Sequence, residues 1–262
     1  MIYTSKCMSC LFGCAKHKQF TKQRLKNMDI HYNILLEVCT AGKLRNQADD
    51  WRQNMKYYIP TKVYQEIDAV KVHAEELAGY GSYALIVTGK YSARANGALA
   101  DVEAALDAYG KKHVQYDGIE ENPSVETVMK ATEFGKRNGV DFVIAIGGGS
   151  TMGGGKAVGI MLANPEKDAE YLYESAAHTK ALPVVTIPTT CGTGSEVTGV
   201  AVLTVHAKRT KASLPHRVFP VLALADPKYL KTASKKVIGQ TAIDALGHMI
   251  ESYLNTTAPD YS

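Results

Sequence analysis

Asp244 and His248 stand four positions apart in the run Thr-Ala-Ile-Asp-Ala-Leu-Gly-His-Met-Ile-Glu. On a helix, residues i and i+4 project from one face, so a carboxylate oxygen and an imidazole nitrogen can reach the same divalent cation. Two side chains alone hold such an ion weakly, and an ordinary surface ion pair uses the same spacing. No histidine follows His248. A second candidate lies upstream, where Gly147-Gly148-Gly149-Ser150 ends an apolar run. A glycine turn there lets backbone N–H groups approach an anion without Cβ clashes, and a following helix directs its positive end at the same point. The spacing is neither Gly-x-Gly-x-x-Gly nor that of a P-loop, so a tight turn and a phosphate site both stay open at this level. A third candidate, Thr186-Ile187-Pro188-Thr189-Thr190-Cys191-Gly192-Thr193-Gly194-Ser195-Glu196-Val197-Thr198, also follows a strand-like run. Its hydroxyls suit ribose and amide groups, and its place beside the first loop at the strand ends favours a ligand crevice.

These residues need elements to position them. Residues 57–64 read as an edge strand broken by Pro60, and 68–79 as a helix. Residues 83–88 form a continuous apolar run of buried-strand length; 89–97 are a polar loop, and 98–109 an alanine-rich amphipathic helix. A short strand at 113–116 is followed by a helix from Asn122-Pro123-Ser124 to about Arg137, with Gly139 past its end. Strands at 141–146 and 183–188 flank a helix that reaches about Ala163. Residues 200–205 and 210–214 alternate like an antiparallel hairpin, 221–225 return to the sheet, and Ser234 caps a long helix over roughly 235–255. Strands alternating with helices predict an α/β fold with a parallel, right-handed sheet covered on both faces.

At 262 residues and 45% apolar composition the chain has ample material for a buried core. The net charge of +4 is spread along it, which argues against nucleic acid as the main partner. No apolar stretch reaches the length of a membrane span, so neither membrane insertion nor secretion is expected. Of five cysteines, Cys7, Cys10, Cys14 and Cys39 crowd the start and Cys191 stands alone, a pattern that fits a reducing cytoplasm rather than a disulfide scaffold. Residues 1–54 lack sustained periodicity and read as a poorly ordered leader; Cys7, Cys10, Cys14 and His17 lack the second half of a metal cluster. The expected organisation is this leader, an α/β domain over 55–233, and the start of a helical metal-binding domain over 234–262.

Taken together, the glycine turn, the loop over 187–198 and the run from Thr241 to His248 resemble the iron-containing (group III) alcohol dehydrogenase family, from about Tyr57 to Ser262. The match looks closest to its butanol and 1,3-propanediol dehydrogenase-like branch. The resemblance implies a dehydroquinate synthase-like α/β dinucleotide-binding domain, followed by an all-helical domain of which this chain holds only the first helix. It places Gly148, Gly149 and Ser150 at the cofactor's pyrophosphate and Thr189 and Thr198 along its nicotinamide half, with Asn122 and Lys211 at further cofactor positions. It implies Asp244 and His248 as the first two of four metal ligands, for Fe2+ or in some members Zn2+. The implied reaction is hydride transfer between NAD(P) and a small primary alcohol or aldehyde. Gly89 occupies a position where NAD-preferring members carry aspartate; glycine leaves room for a 2′-phosphate, and Lys90 and Arg94 add positive charge, so NADP is expected over NAD.

Two departures qualify these expectations. The family's other two ligands are histidines of the helical domain, so a truncated chain with impaired turnover is expected, and a non-catalytic remnant that binds dinucleotide is the alternative. Leu246, Ile250 and Leu254 are then expected to be exposed and to invite aggregation or a partner; a homodimer is the assembly expected. The phosphate-loop helix reads Ser150-Thr151-Met152-Gly153-Gly154-Gly155-Lys156, with Gly153 where the family has aspartate. Three glycines in a first helical turn are expected to weaken it by roughly 2 to 3 kcal/mol relative to alanine. Glycerol dehydrogenase and dehydroquinate synthase resemble the fold and the glycine turn too, but the loop over 187–198 argues against the synthase.

Overall fold

Strands form where apolar residues run without alternation, and the two longest such runs become adjacent central strands. The computed structural model describes residues 58–175 and 179–255; the expectations for residues 1–54 fall outside them. Tyr58–Ala245 make one unit, and from Leu246 the last helix belongs to a second. In chain order the larger unit contains β1 (Lys62–Gln65), α1 (Ala69–Val72), α2 (Ala74–Ala78), β2 (Tyr83–Thr88), α3 (Ser92–Ala95), α4 (Ala98–Ala108) and β3 (Lys112–Tyr116). There follow α5 (Val125–Asn138), β4 (Phe142–Gly147), α6 (Gly149–Ala163), β5 (Val184–Pro188), the pair β6 (Val202–Val205) and β7 (Thr210–Ser213), and β8 (Leu222–Ala225). The long helix α7 (Lys235–Leu254) runs from one unit into the other.

Six strands form one sheet in the order β1-β8-β5-β4-β2-β3, every pair parallel, while β6 and β7 make a separate antiparallel pair. All six residues of β4 are buried, as a strand covered on both faces requires. On one face α4 packs Leu99, Val102 and Leu106 against Ile86 and Ile144; on the other α5 and α6 pack Val128, Ala157 and Met161 against Leu85 and Val143. Each fully buried leucine, isoleucine or valine contributes about 1.5–3 kcal/mol of transfer free energy, so this alternation along β2 and β4 drives both layers. The helix after β2 therefore covers one face and the helix after β4 the other, although β2 and β4 are neighbours. Where α/β sheets reverse in this way, ligands bind in a crevice beyond the carboxyl ends of the strands, and here that point lies past β2 and β4.

Boundaries follow local chemistry. Ser124 Oγ accepts from Thr127 N at 3.2 Å to cap α5, and Gly139, at φ 68°, ends it in the left-handed region. The helix expected over 68–79 is broken at His73, whose ring stacks on Tyr64 and bonds Glu66 Oε1 at 2.5 Å. The loop expected over 89–97 contains the one-turn helix α3, and Asn96 Oδ1 then receives Ala98 N at 3.0 Å at the start of α4.

Past the end of β8, Lys228 Nζ lies 2.5 Å from Asp68 Oδ1, 2.9 Å from Asp101 Oδ2 and 3.5 Å from Asp226 Oδ2. Burial opposes the charge on Lys228, but the bonds to Asp68 and Asp101 outweigh it and hold the ammonium above its usual range. Tyr229 OH donates to Asp101 Oδ2 at 2.7 Å, and burial raises that phenol. Asp226 also accepts from Asp68 N at 2.7 Å, so this network ties β8 to the turn before α1 and to α4.

Candidate functional site

The crevice is floored by the turn from β4 into α6. Gly147 ends the strand so close to the helix that a Cβ there would lie 2.5 Å from Thr151 Oγ1. Gly148 is the N-cap, extended at φ −82° and ψ −171°, and its carbonyl accepts Met152 N at 3.0 Å. No side chain caps this end. The first-turn N–H groups of Gly149, Ser150 and Thr151 thus keep their capacity for an acceptor from outside, at the positive end of a 15-residue helix.

The run over 189–198 folds across this turn. Thr189 N bonds Gly147 O at 2.9 Å, a Cβ on Gly148 would sit 3.0 Å from Thr190 Oγ1, and one on Gly149 would sit 2.8 Å from Thr193 Cγ2. Side chains at 148 and 149 would fill the cradle between the two loops. At Gly192, φ is 127° and a Cβ would collide with Thr241 O at 2.3 Å, so glycine is required both by its backbone and by its closeness to α7. The hydroxyl loop thereby touches α7 one turn before Asp244.

Lys156 lies two turns into α6. It retains its place in the motif but points away from the phosphate turn: Nζ donates to Ser195 O and Thr198 O at 2.7 Å and to Ser195 Oγ and Val200 O at 3.1 Å. Burial pushes the ammonium from 10.5 down to about 8, with the Glu196 carboxylate acting in the opposite sense. Glu196 itself is pushed up by burial, against its own backbone N–H and Lys156. The signal for this arrangement was present in the sequence: one lysine amid glycines and apolar residues on a helix has to find buried acceptors.

Gly153, Gly154 and Gly155, expected to weaken α6, all lie inside it. The helix is continuous over Gly149–Ala163, and two of its glycines sit where the sheet leaves no room. A Cβ at Gly155 would lie 2.7 Å from Ala145 Cβ on β4, and one at Gly159 2.9 Å from Val184 Cγ2 on β5. Gly153 is different, its nearest neighbour being Ala201 Cα at 3.9 Å.

At the open side of the turn, residues far apart in sequence converge. Asn122 holds a left-handed φ of 55°, which asparagine tolerates better than most residues. Its N–H donates to Ser150 Oγ at 3.1 Å, its carbonyl accepts Thr204 Oγ1 at 2.8 Å, and its Oδ1 accepts Lys211 Nζ at 2.8 Å. Ser150, Asn122 and Lys211 are therefore one cluster.

At the end of β2, Thr88 O accepts Ile119 N at 3.2 Å, and a Cβ on Gly89 would meet Ile119 O at 3.3 Å. Gln115 Nε2 donates to Thr88 Oγ1 at 2.9 Å while its Oε1 accepts from Arg94 Nη2. Lys90 is exposed beside them, so two cations flank Gly89, one of them tethered. The carboxylate of Glu120 is drawn away onto Ser124 N and Thr127 Oγ1, each at 2.9 Å.

Asp244 and His248 both lie on α7 with exposed side chains, at the i, i+4 spacing that suits a carboxylate oxygen and an imidazole nitrogen to one divalent ion. Among the described residues no group of three or more His, Cys, Asp or Glu side chains is placed to hold a metal. Leu246, Ile250 and Leu254 on the same helix are exposed, as anticipated. No helix among the described residues is long and apolar enough to cross a membrane.

Comparisons with known proteins agree with this fold. Residues 60–227 match the family described as iron-containing alcohol dehydrogenase. A long-chain primary alcohol dehydrogenase of Thermoanaerobacter ethanolicus is 37% identical over 180 residues, covering 68% of this chain and 45% of that protein. An NADH-dependent butanol dehydrogenase of Clostridium acetobutylicum is 32% identical over 200 residues, covering 76% and 51%. The crystal structure of an iron-containing alcohol dehydrogenase from Thermotoga maritima shares the fold with a TM-score of 0.75 at 38% identity, over 79% of this chain and 57% of that one. The chain spans about half the length of the curated relatives it matches. With that match running from β1 past β8 through the glycine turn and the hydroxyl loop, the chain belongs to the iron-containing alcohol dehydrogenase family.

Proposed function

We propose that the chain binds a nicotinamide dinucleotide in the crevice between the ends of β2 and β4, and that it serves hydride transfer between NAD(P) and a primary alcohol or aldehyde. One observation carries this reading: the uncapped amide end of α6 lies at the point where the sheet reverses, roofed by a loop of hydroxyls and glycines. Gly148, Gly149 and Ser150 bind the pyrophosphate through backbone N–H groups and the Ser150 hydroxyl. Thr189 and Thr198 orient the nicotinamide half, while Asn122 and Lys211 close the side of the phosphate turn. Gly89 leaves space at the adenosine ribose, and Lys90 and Arg94 supply the charge that favours NADP over NAD. In domain terms, 55–233 form the dinucleotide-binding part and 234 opens a helical, metal-binding part; the cysteine usage suits a reducing cytoplasm.

Asp244 and His248 offer an oxygen and a nitrogen suited to iron or zinc; when bound there, the ion supplies Lewis acidity toward the alcohol oxygen. Thr241, three residues before Asp244, lies against Gly192 of the hydroxyl loop. The test is a fluorescence titration of the purified chain with NADPH and NADH, followed by NADPH oxidation assays with butanal and 3-hydroxypropanal in the presence of Fe2+ or Zn2+. Binding with turnover supports the whole reading, and binding without turnover reduces the chain to a dinucleotide-binding protein. Absence of binding to either nucleotide refutes it.

A further inference from the structure

We infer that Lys156 is a positioning residue for nucleotide binding: its buried ammonium, bonded to the carbonyls of Ser195, Thr198 and Val200, holds residues 189–200 in the shape that brings Thr189 and Thr198 to the crevice. The inference rests on the reading of that crevice as the dinucleotide site. An ammonium has three protons, and four oxygens of this one segment lie within 3.1 Å of Nζ. All its donors are spent inside the protein, so Lys156 contributes through the loop and not as a phosphate ligand.

The segment's own bonds are short-range. Val197 N reaches Gly194 O, and Ser195 N reaches Thr193 Oγ1, each within one turn of chain. Thr189 N to Gly147 O at 2.9 Å and Val218 N to Gly199 O at 3.1 Å anchor the two ends of the segment, and Lys156 ties positions 195, 198 and 200 to a helix. That helix begins with Gly149 and Ser150, about 10 Å away at 1.5 Å per residue, so one rigid element sets both the amide end and the loop that roofs it. Glu196 is the charged neighbour of Lys156, and its carboxyl is held toward the neutral form by burial.

The experiment compares the full wild-type chain with Lys156→Met, at a temperature where circular dichroism shows both folded. NADPH and NADH affinities are measured by fluorescence from pH 6.5 to 9.5, and amide hydrogen exchange is followed over 189–200. Lys156→Met weakens both nucleotides by 10-fold or more at pH 7 and speeds exchange across 189–200. Wild-type affinity declines as pH rises through about 8, where half of the ammonium has lost its proton, whereas the variant shows no such decline. If Lys156→Met does not fold, Lys156→Gln, whose amide is neutral and falls one bond short of the carbonyls that Nζ reaches, is read by the same criteria. Affinities within 2-fold of wild type, or identical pH profiles in wild type and variant, overturn the inference while leaving the crevice reading standing. Absence of nucleotide binding by the wild type overturns both.

Discussion

Replacing Gly155 and Gly153 by alanine, one at a time, should move stability in opposite directions although the residues lie two positions apart on α6. Alanine gains up to about 1 kcal/mol over glycine inside a helix wherever the methyl group has space. At Gly153 the nearest atom to the new Cβ is 3.9 Å away, an ordinary contact, so the gain is retained. At Gly155 the methyl would sit 2.7 Å from Ala145 Cβ on a fully buried strand, and overpacking of this kind costs about 1–3 kcal/mol. Gly153→Ala is therefore stabilised by roughly 0.5–1 kcal/mol, and Gly155→Ala is destabilised by about 1 kcal/mol after the helical gain is subtracted. The separation of about 2 kcal/mol amounts to roughly 4–8 °C in Tm for a unit of this size. Urea unfolding followed by circular dichroism, with unchanged m-values, and calorimetry both measure it. If both variants gain stability equally, α6 is not held against β4 by its glycines and the packing argument fails.

Further consequences can be checked with the same protein. Gly89→Asp places a carboxylate at the end of β2, tight against Ile119 O at 3.3 Å, and should weaken NADPH at least 10-fold while leaving NADH within about 3-fold; equal losses for both nucleotides in the titration would argue against a 2′-phosphate site there. Lys228→Met leaves Asp68, Asp101 and the buried Asp226 facing one another, and should cost about 2 kcal/mol in urea unfolding, less than a fully buried pair because the lysine is partly solvated. A loss under about 0.5 kcal/mol would mean that the network contributes nothing beyond surface pairing. Ser124→Ala removes the cap of α5 and should cost about 1 kcal/mol, with faster amide exchange in the first turn of that helix as the local readout.

The parts of this protein that could be read from residues alone are those governed by neighbours along the chain. Strands β2 and β4 showed themselves as unbroken apolar runs because central parallel strands are buried on both faces. The ends of α5 were visible in Ser124 and Gly139, whose side-chain oxygen and left-handed backbone act within one turn. The glycine turn, the hydroxyl loop and the Asp244–His248 spacing were equally local, and so the family could be recognised before any coordinates. His73 was not foreseen as a helix break because the ring answers to Tyr64 and Glu66 across the turn, a competition that helical periodicity does not register.

Tertiary packing decided the rest. Gly155 reads as a weak helical residue until β4 is seen 2.7 Å from where its side chain would be. That Lys156 needs buried acceptors is visible in its apolar surroundings, but that they are three carbonyls from a segment some forty residues later is decided by the packing. Asn122 and Lys211, 89 positions apart, become one cluster only when β7 is folded beside the phosphate turn. Propensity, capping and periodicity are sums over neighbours in sequence, which one chain displays openly. Close approach, burial of a charge and the convergence of distant donors depend on where the sheet puts each element, and no local pattern encodes that placement.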